Sequence, residues 1–180
     1  MRNFKSIILS ASAIALALTS CAMDKKISQT TSGLNPEKFS ATINGKQTSL
    51  YSMKNANGME VCITNFGGRI VSICVPDKNG DMKDVVLGFD SVAQYADIAH
   101  NPSDFGAAIG RYANRINKGQ ITIDGKMIQL PKNNFGHCLH GGPQGWQYQV
   151  YDGAKVNDST VTMTMNSKDG DANFPGNVKA

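Results

Sequence analysis

Asn-Gly and Asp-Gly pairs recur along this chain, at Asn44-Gly45, Asn57-Gly58, Asn79-Gly80 and Asp124-Gly125. They cut it into stretches too short for long helices. Each pair supplies the positive-φ positions of a tight hairpin turn, and each is flanked by residues that suit strands. Thr42-Ile43 precedes the first turn and Leu50 to Lys54 follows it, and the second leads into Met59 to Asn65, where apolar and polar residues alternate. Ile70 to Val75 is apolar at nearly every position and predicts a strand buried on both faces. Asp84 to Asp90 reads as another strand, Ile121-Ile123 and Met127-Leu130 as a hairpin, and Val161 to Met165 as a last alternating segment. Ser91 is a suitable N-cap for one helical turn ending near Ala96. The pattern predicts an all-β fold, an antiparallel β-sandwich.

The first residues are read separately. Arg2 and Lys5 precede an apolar run from Ile7 to Leu18, the layout of an export signal and short for a membrane span. Leu18-Thr19-Ser20-Cys21 resembles the lipobox of bacterial lipoproteins, so residues 1–20 are expected to be a signal peptide and Cys21 the lipidated residue. A plain secretory signal with an incidental Cys is the alternative. Acyl chains on Cys21 would hold the protein to a membrane without spanning it. Ala22 follows Cys21, so the familiar inner-membrane retention signal is absent, and the periplasmic side of the outer membrane is the favoured location. Residues 21–37, rich in Lys, Ser, Thr, Gln and Asn, read as a flexible tether, and 38–180 as the folded domain.

Lys and Arg number 18 against 14 Asp and Glu, and loss of Arg2 and Lys5 with the signal brings the balance nearer neutrality. With no basic stripe, a nucleic-acid partner is not expected. If Cys21 is lipidated, Cys62, Cys74 and Cys138 are an odd set, so the fold is not expected to rest on a disulfide framework. A Cys62–Cys74 bridge would depend on hairpin register, and buried free thiols are the alternative.

Two glycine-rich strings carry the chemistry: Phe105 to Ile116 (FGAAIGRYANRI) and Cys138 to Trp146 (CLHGGPQGW). In the first, Asn114 offers an amide that donates and accepts, and Arg115 a rigid fork of donors, groups suited to the hydroxyls of a pyranose. Residue type alone fits equally an Arg111 and an Arg115 that cover sheet surface or brace a loop. In the second, His140 precedes Gly141-Gly142-Pro143, a tight exposed turn from which an imidazole can work near neutral pH. His100 and His137 sit in no comparable string. Trp146, Tyr148 and Tyr151 fit stacking on a sugar face or packing within a β-fold. No HxxxH or paired CxxC spacing suggests a metal site.

Both strings resemble the substrate-binding half of the aldose 1-epimerase, or galactose mutarotase, family, whose fold is a β-supersandwich. The resemblance runs from about Thr42 to Val178, the first half of the family pattern. It implies an isomerase that interconverts the α and β anomers of an aldohexose such as galactose or glucose, with no cofactor. It also implies that Asn114 and Arg115 bind the sugar and that His140 acts as a catalytic residue holding it near the ring oxygen; Arg111 keeps its structural reading. Mutarotation needs a base at the anomeric hydroxyl and an acid at the ring oxygen. The resemblance makes these a Glu and a second His later in the fold. Asp169 to Gly176 (DGDANFPG) is similar to the family turn before that His, with Ala172 and Asn173 where an acidic residue and Gly are usual. The chain therefore reads as an apparently truncated mutarotase whose own 180 residues are expected to be inactive. The alternative is a non-catalytic carbohydrate-binding or remnant lipoprotein.

Overall fold

In the computed structural model, residues 29–180 are described. The expected export signal, Cys21 and the start of the expected tether lie outside them. Strands β1 (Thr42–Ile43) and β2 (Lys46–Gln47) form the first hairpin. Asn44 and Gly45, at φ 51° and 74°, make the turn as their types allow. The central sheet has strands β3 (Leu50–Lys54), β4 (Glu60–Thr64), β5 (Arg69–Pro76) and β6 (Met82–Asp84) in sequence order, all antiparallel. The one α-helix among the described residues, α1 (Val92–Ala96), is short and is capped by the Ser91 hydroxyl, which accepts from Gln94 N–H. Further on, β7 (Arg115–Ile116) pairs with β10 (Cys138–Leu139), enclosing the hairpin of β8 (Gln120–Ile123) and β9 (Lys126–Gln129). Strands β11 (Asp152–Asn157) and β12 (Thr160–Thr164) form a hairpin, and β13 (Asn166–Ser167) pairs with β14 (Val178–Lys179). The all-β, antiparallel reading holds throughout the described residues.

Three expectations need correction. The run Ile70–Val75 is not buried on both faces: Ile70 is 37% exposed and Ile73 and Val75 are half-buried. Ile63 pairs with Ile70 and Cys62 with Ser72, so Val71 is an extra residue, a bulge that turns Val71 and Ser72 both inward. The expected strand at Asp84 to Asp90 stops at Asp84, because the Asp84 carboxylate accepts from Ile73 N–H and Val86 N–H and replaces the ladder there. Within residues 21–37, the last part is not a free tether. Leu34 is buried in the main core, Thr31 N–H donates to Glu60 at 2.5 Å, and Pro36–Phe39 form a 3-10 turn ending in a fully buried Phe39.

Among the described residues, Cys62, Cys74 and Cys138 are buried and unbridged. The β4–β5 register sets Cys62 opposite Ser72 and Cys74 opposite Glu60. The two cysteines are thus diagonal neighbours, which stand about 7–8 Å apart across a sheet and beyond easy disulfide reach. Burial pushes the Cys62 thiol up to about 11.

The main core packs Cys62 and Val71 of the central sheet, and Phe66 of the β4–β5 connection, against Phe39, Val92, Tyr95 and Val150. A smaller core joins Leu130, Cys138 and Phe174. At the edge of the main core the guanidinium of Arg69 is fully buried. Nη1 donates to the carbonyls of Ser103 and Phe105, each at 3.2 Å, and Nη2 to that of Gln147 at 2.9 Å. The rings of Phe66 and Tyr95 lie 5.7 and 4.9 Å from its central carbon. Burial pulls its pKa below the ordinary value, and nearby Asp104 opposes that shift.

Replacing Arg69 with Met fills similar space but leaves those carbonyls unpaired. Each unpaired buried polar group costs about 1–3 kcal/mol, which outweighs relief of the buried charge. Arg69→Met is expected to lose about 3 kcal/mol or more in urea denaturation. An unchanged midpoint would contradict this role.

Candidate active site

The strings 105–116 and 138–146 are far apart in sequence, and the β7–β10 pairing brings them together. Arg115 pairs with Leu139 and Ile116 with Cys138. One residue beyond the ladder, Asn114 and His140 close on each other through two hydrogen bonds. His140 N–H donates to the Asn114 carbonyl and Asn114 N–H donates to His140 Nδ1, both at 3.0 Å. Both residues have positive φ, 59° at Asn114 and 52° at His140. Such backbone is uncommon outside glycine, and Asn and His are among the residues that adopt it most readily.

The bond to Nδ1 fixes the imidazole's chemistry. A backbone N–H can only donate, so Nδ1 accepts and the proton of the neutral ring sits on Nε2. His140 is therefore poised to donate a hydrogen bond from Nε2, which has no partner among the described residues. Arg115 Nε donates to Asn134 Oδ1 at 2.9 Å, and Nη1 reaches Asn114 Oδ1 at 3.5 Å. Its Nη2 makes no hydrogen bond within the described residues. Asn114 and Arg115 are exposed and His140 half-buried. The three predicted site residues thus form one cluster of donors open to solvent, with one fixed cation.

Close backbone contact supports the cluster from behind. A Cβ on Gly110 would fall inside the Trp146 indole, and one on Gly141 would overlap the Gly110 carbonyl. Trp146 N–H also donates to that carbonyl at 3.3 Å. Trp146 therefore packs against backbone, and Tyr151 is buried beside Gly68 with its phenol pushed up to about 12 by desolvation. Both are engaged in packing.

Arg111 is structural as expected. Its Nε donates to Ser167 Oγ at 2.8 Å, Nη1 to the Pro175 carbonyl at 3.0 Å and Nη2 to the Lys168 carbonyl at 2.6 Å. These bonds tie the first string to the turn Asp169–Gly176. There Ala172 and Asn173 hold φ of 47° and 63°; Asn173, where Gly is usual, adopts this backbone at modest cost, and Ala172 does so at about 1–2 kcal/mol. His137 Nδ1 accepts from Lys118 N–H at 3.1 Å, bracing a loop, and the exposed His100 faces Asp97 at 2.9 Å.

Sequence reasoning passed over Asn133 and Asn134. Asn133 clamps the strand that carries His140, accepting from Leu139 N–H at 2.7 Å and donating to the Leu139 carbonyl at 3.0 Å. An Asn-Asn pair before Phe135-Gly136 signals a turn in sequence, but not what the amides hold. A separate cleft of about 360 Å³ lies between Ile43, Asn44, Phe66, Tyr148 and Gln149. None of the three predicted site residues lines it.

This β-fold, with a donor cluster on paired glycine-rich strings, is that of a mutarotase-like protein. The sequence model of the aldose 1-epimerase family matches residues 49–180, and the chain belongs to that family. It is 35% identical over 136 residues to the aldose 1-epimerase of Escherichia coli K12, covering 76% of this chain and 38% of that protein. It is 39% identical over 121 residues to the galactose mutarotase of Bos taurus, covering 67% and 34%. Among solved structures, an aldose epimerase homologue from C. elegans superposes with a TM-score of 0.68 at 30% identity, covering 73% of this chain and 40% of that one. A galactose 1-epimerase from Lactobacillus acidophilus gives 0.66 at 27%, covering 77% and 40%. The chain thus spans little more than a third of the length of these relatives.

Gly110→Ala tests the support behind the cluster. The added methyl must displace the Trp146 ring, and overpacking of this kind costs about 1–3 kcal/mol. The variant is expected to melt several degrees lower, and an unaltered melting temperature would show that the indole moves aside freely.

Proposed function

We propose that these residues form the sugar-gripping wall of an aldose 1-epimerase, which interconverts the α and β anomers of an aldohexose such as galactose or glucose. The observation that carries the reading is the convergence of Asn114, Arg115 and His140 through the two Asn114–His140 hydrogen bonds. In this role the Arg115 fork and the Asn114 amide hold ring hydroxyls. His140, donating from Nε2, steadies the oxygen that gains negative character as the hemiacetal opens. The chemistry calls for no cofactor. The base at the anomeric hydroxyl and the acid at the ring oxygen are, on the family pattern, a Glu and a His that follow the Asp169–Gly176 turn. Membership of the family and similarity to proteins named aldose 1-epimerase and galactose mutarotase support the activity. We further propose lipid attachment at Cys21, which places the enzyme on the periplasmic face of a membrane. Cys21→Ser should abolish labelling by palmitate, and persistent labelling would remove the anchor.

Two kinetic outcomes follow. In the full-length protein, Arg115→Ala and His140→Ala should each lower kcat/KM by about a hundredfold while leaving the melting temperature close to wild type. Unchanged kinetics in both variants would sink the site. The 180-residue chain alone should not speed the polarimetric relaxation of α-D-galactose beyond the spontaneous rate. Clear acceleration would mean that the acid and base lie within these residues.

A further inference from the structure

We infer that Asn134 is a positioning residue that holds the Arg115 guanidinium ready for the sugar, an inference that rests on reading Arg115 as a sugar ligand. Arg115 is exposed, and a free exposed Arg keeps many rotamers that must be given up on binding. Its contact with Asn114 is long, at 3.5 Å, so the 2.9 Å bond from Nε to Asn134 Oδ1 is what fixes the side chain.

Asn134 is itself held. Its N–H donates to the His137 carbonyl at 3.2 Å and its carbonyl accepts from His137 N–H at 2.8 Å. Lys118 N–H pins the His137 ring in turn, at 3.1 Å. Next to it, Asn133 clamps both backbone groups of Leu139, the residue before His140. One turn, 133–137, thus sets Arg115 from one side and the His140 strand from the other.

The chemistry of the acceptor matters too. Asn134 occupies only Nε, at the back of the fork, and leaves Nη2 open. As a neutral amide it orders the guanidinium without neutralising its charge, which stays available to sugar oxygens.

The test uses the full chain and D-galactose as probe. In ¹H–¹⁵N spectra the Arg115 Nε–H, identified by its loss in Arg115→Lys, should exchange slowly with solvent in the wild type. It should remain slow in Asn134→Asp, which keeps an acceptor at that reach, and become fast in Asn134→Ala. Galactose binding, followed by titration, should weaken about fivefold in Asn134→Ala. A backbone amide spectrum unchanged outside the 114–140 region verifies folding. Equal Nε–H exchange in wild type and Asn134→Ala would overturn the inference. So would equal galactose affinity in these two proteins when Arg115→Ala binds more weakly. If Arg115→Ala binds galactose as well as wild type, the reading of Arg115 as a sugar ligand falls instead, and the exchange comparison still decides whether Asn134 orders its side chain.

Discussion

The buried guanidinium of Arg69 is the interaction on which the rest of the arrangement depends. It comes from the central sheet, yet its acceptors are the carbonyls of Ser103 and Phe105, where the first glycine-rich string begins, and of Gln147, just after the second ends. Backbone bonds around it repeat the connection: Ala108 N–H to the Gly67 carbonyl at 2.9 Å, Gly67 N–H to that of Gln149 at 2.7 Å, and Ile70 N–H to that of Gly106 at 3.0 Å. Loops rich in glycine have high conformational entropy and little apolar surface with which to order themselves. A single planar cation with fixed donors, sandwiched by Phe66 and Tyr95, holds both to one frame.

From that frame the strings run outward and meet again at the β7–β10 ladder. Gly110 packs so close to the Trp146 indole, and Gly141 to the Gly110 carbonyl, that a side chain at either position would collide, which is why the strings carry glycine there. The functional groups sit at the far side of this contact. The Asn114 backbone that bonds to His140 also selects the tautomer that can donate to an oxygen, so fold and chemistry share the same hydrogen bond. Arg111 extends the network to the Asp169–Gly176 turn, coupling the proposed sugar-gripping wall to that turn.

Hairpins were legible wherever a turn dipeptide fixed them. Asn44-Gly45 and Asp124-Gly125 both adopt the left-handed geometry that their residue types demand. The strings around Asn114, Arg115 and His140 were legible as motifs, and the structure brings these residues into one cluster. Features set by long-range pairing were not legible. The bulge at Val71 depends on how β4 and β5 align, and so does the separation of Cys62 from Cys74. Leu34 looked like a scattered apolar residue of a polar segment, and only the core it enters explains it. Arg69 gave no sign of burial, since an Arg beside Gly-Gly in sequence reads as a surface residue. Asn133 and Asn134 looked like turn formers, because what a side-chain amide grips across 6 to 19 positions of separation is invisible to local pattern.

The most direct measurement is a chemical-shift map of D-galactose on the isotopically labelled chain. Shifts concentrated at the backbone and side chains of Asn114, Arg115 and His140, saturating with sugar concentration, are the result expected of a sugar-gripping wall on the β7–β10 ladder. Shifts confined to another surface, such as the cleft between Ile43, Asn44 and Tyr148, or no shifts at the ladder at saturating sugar, would contradict it.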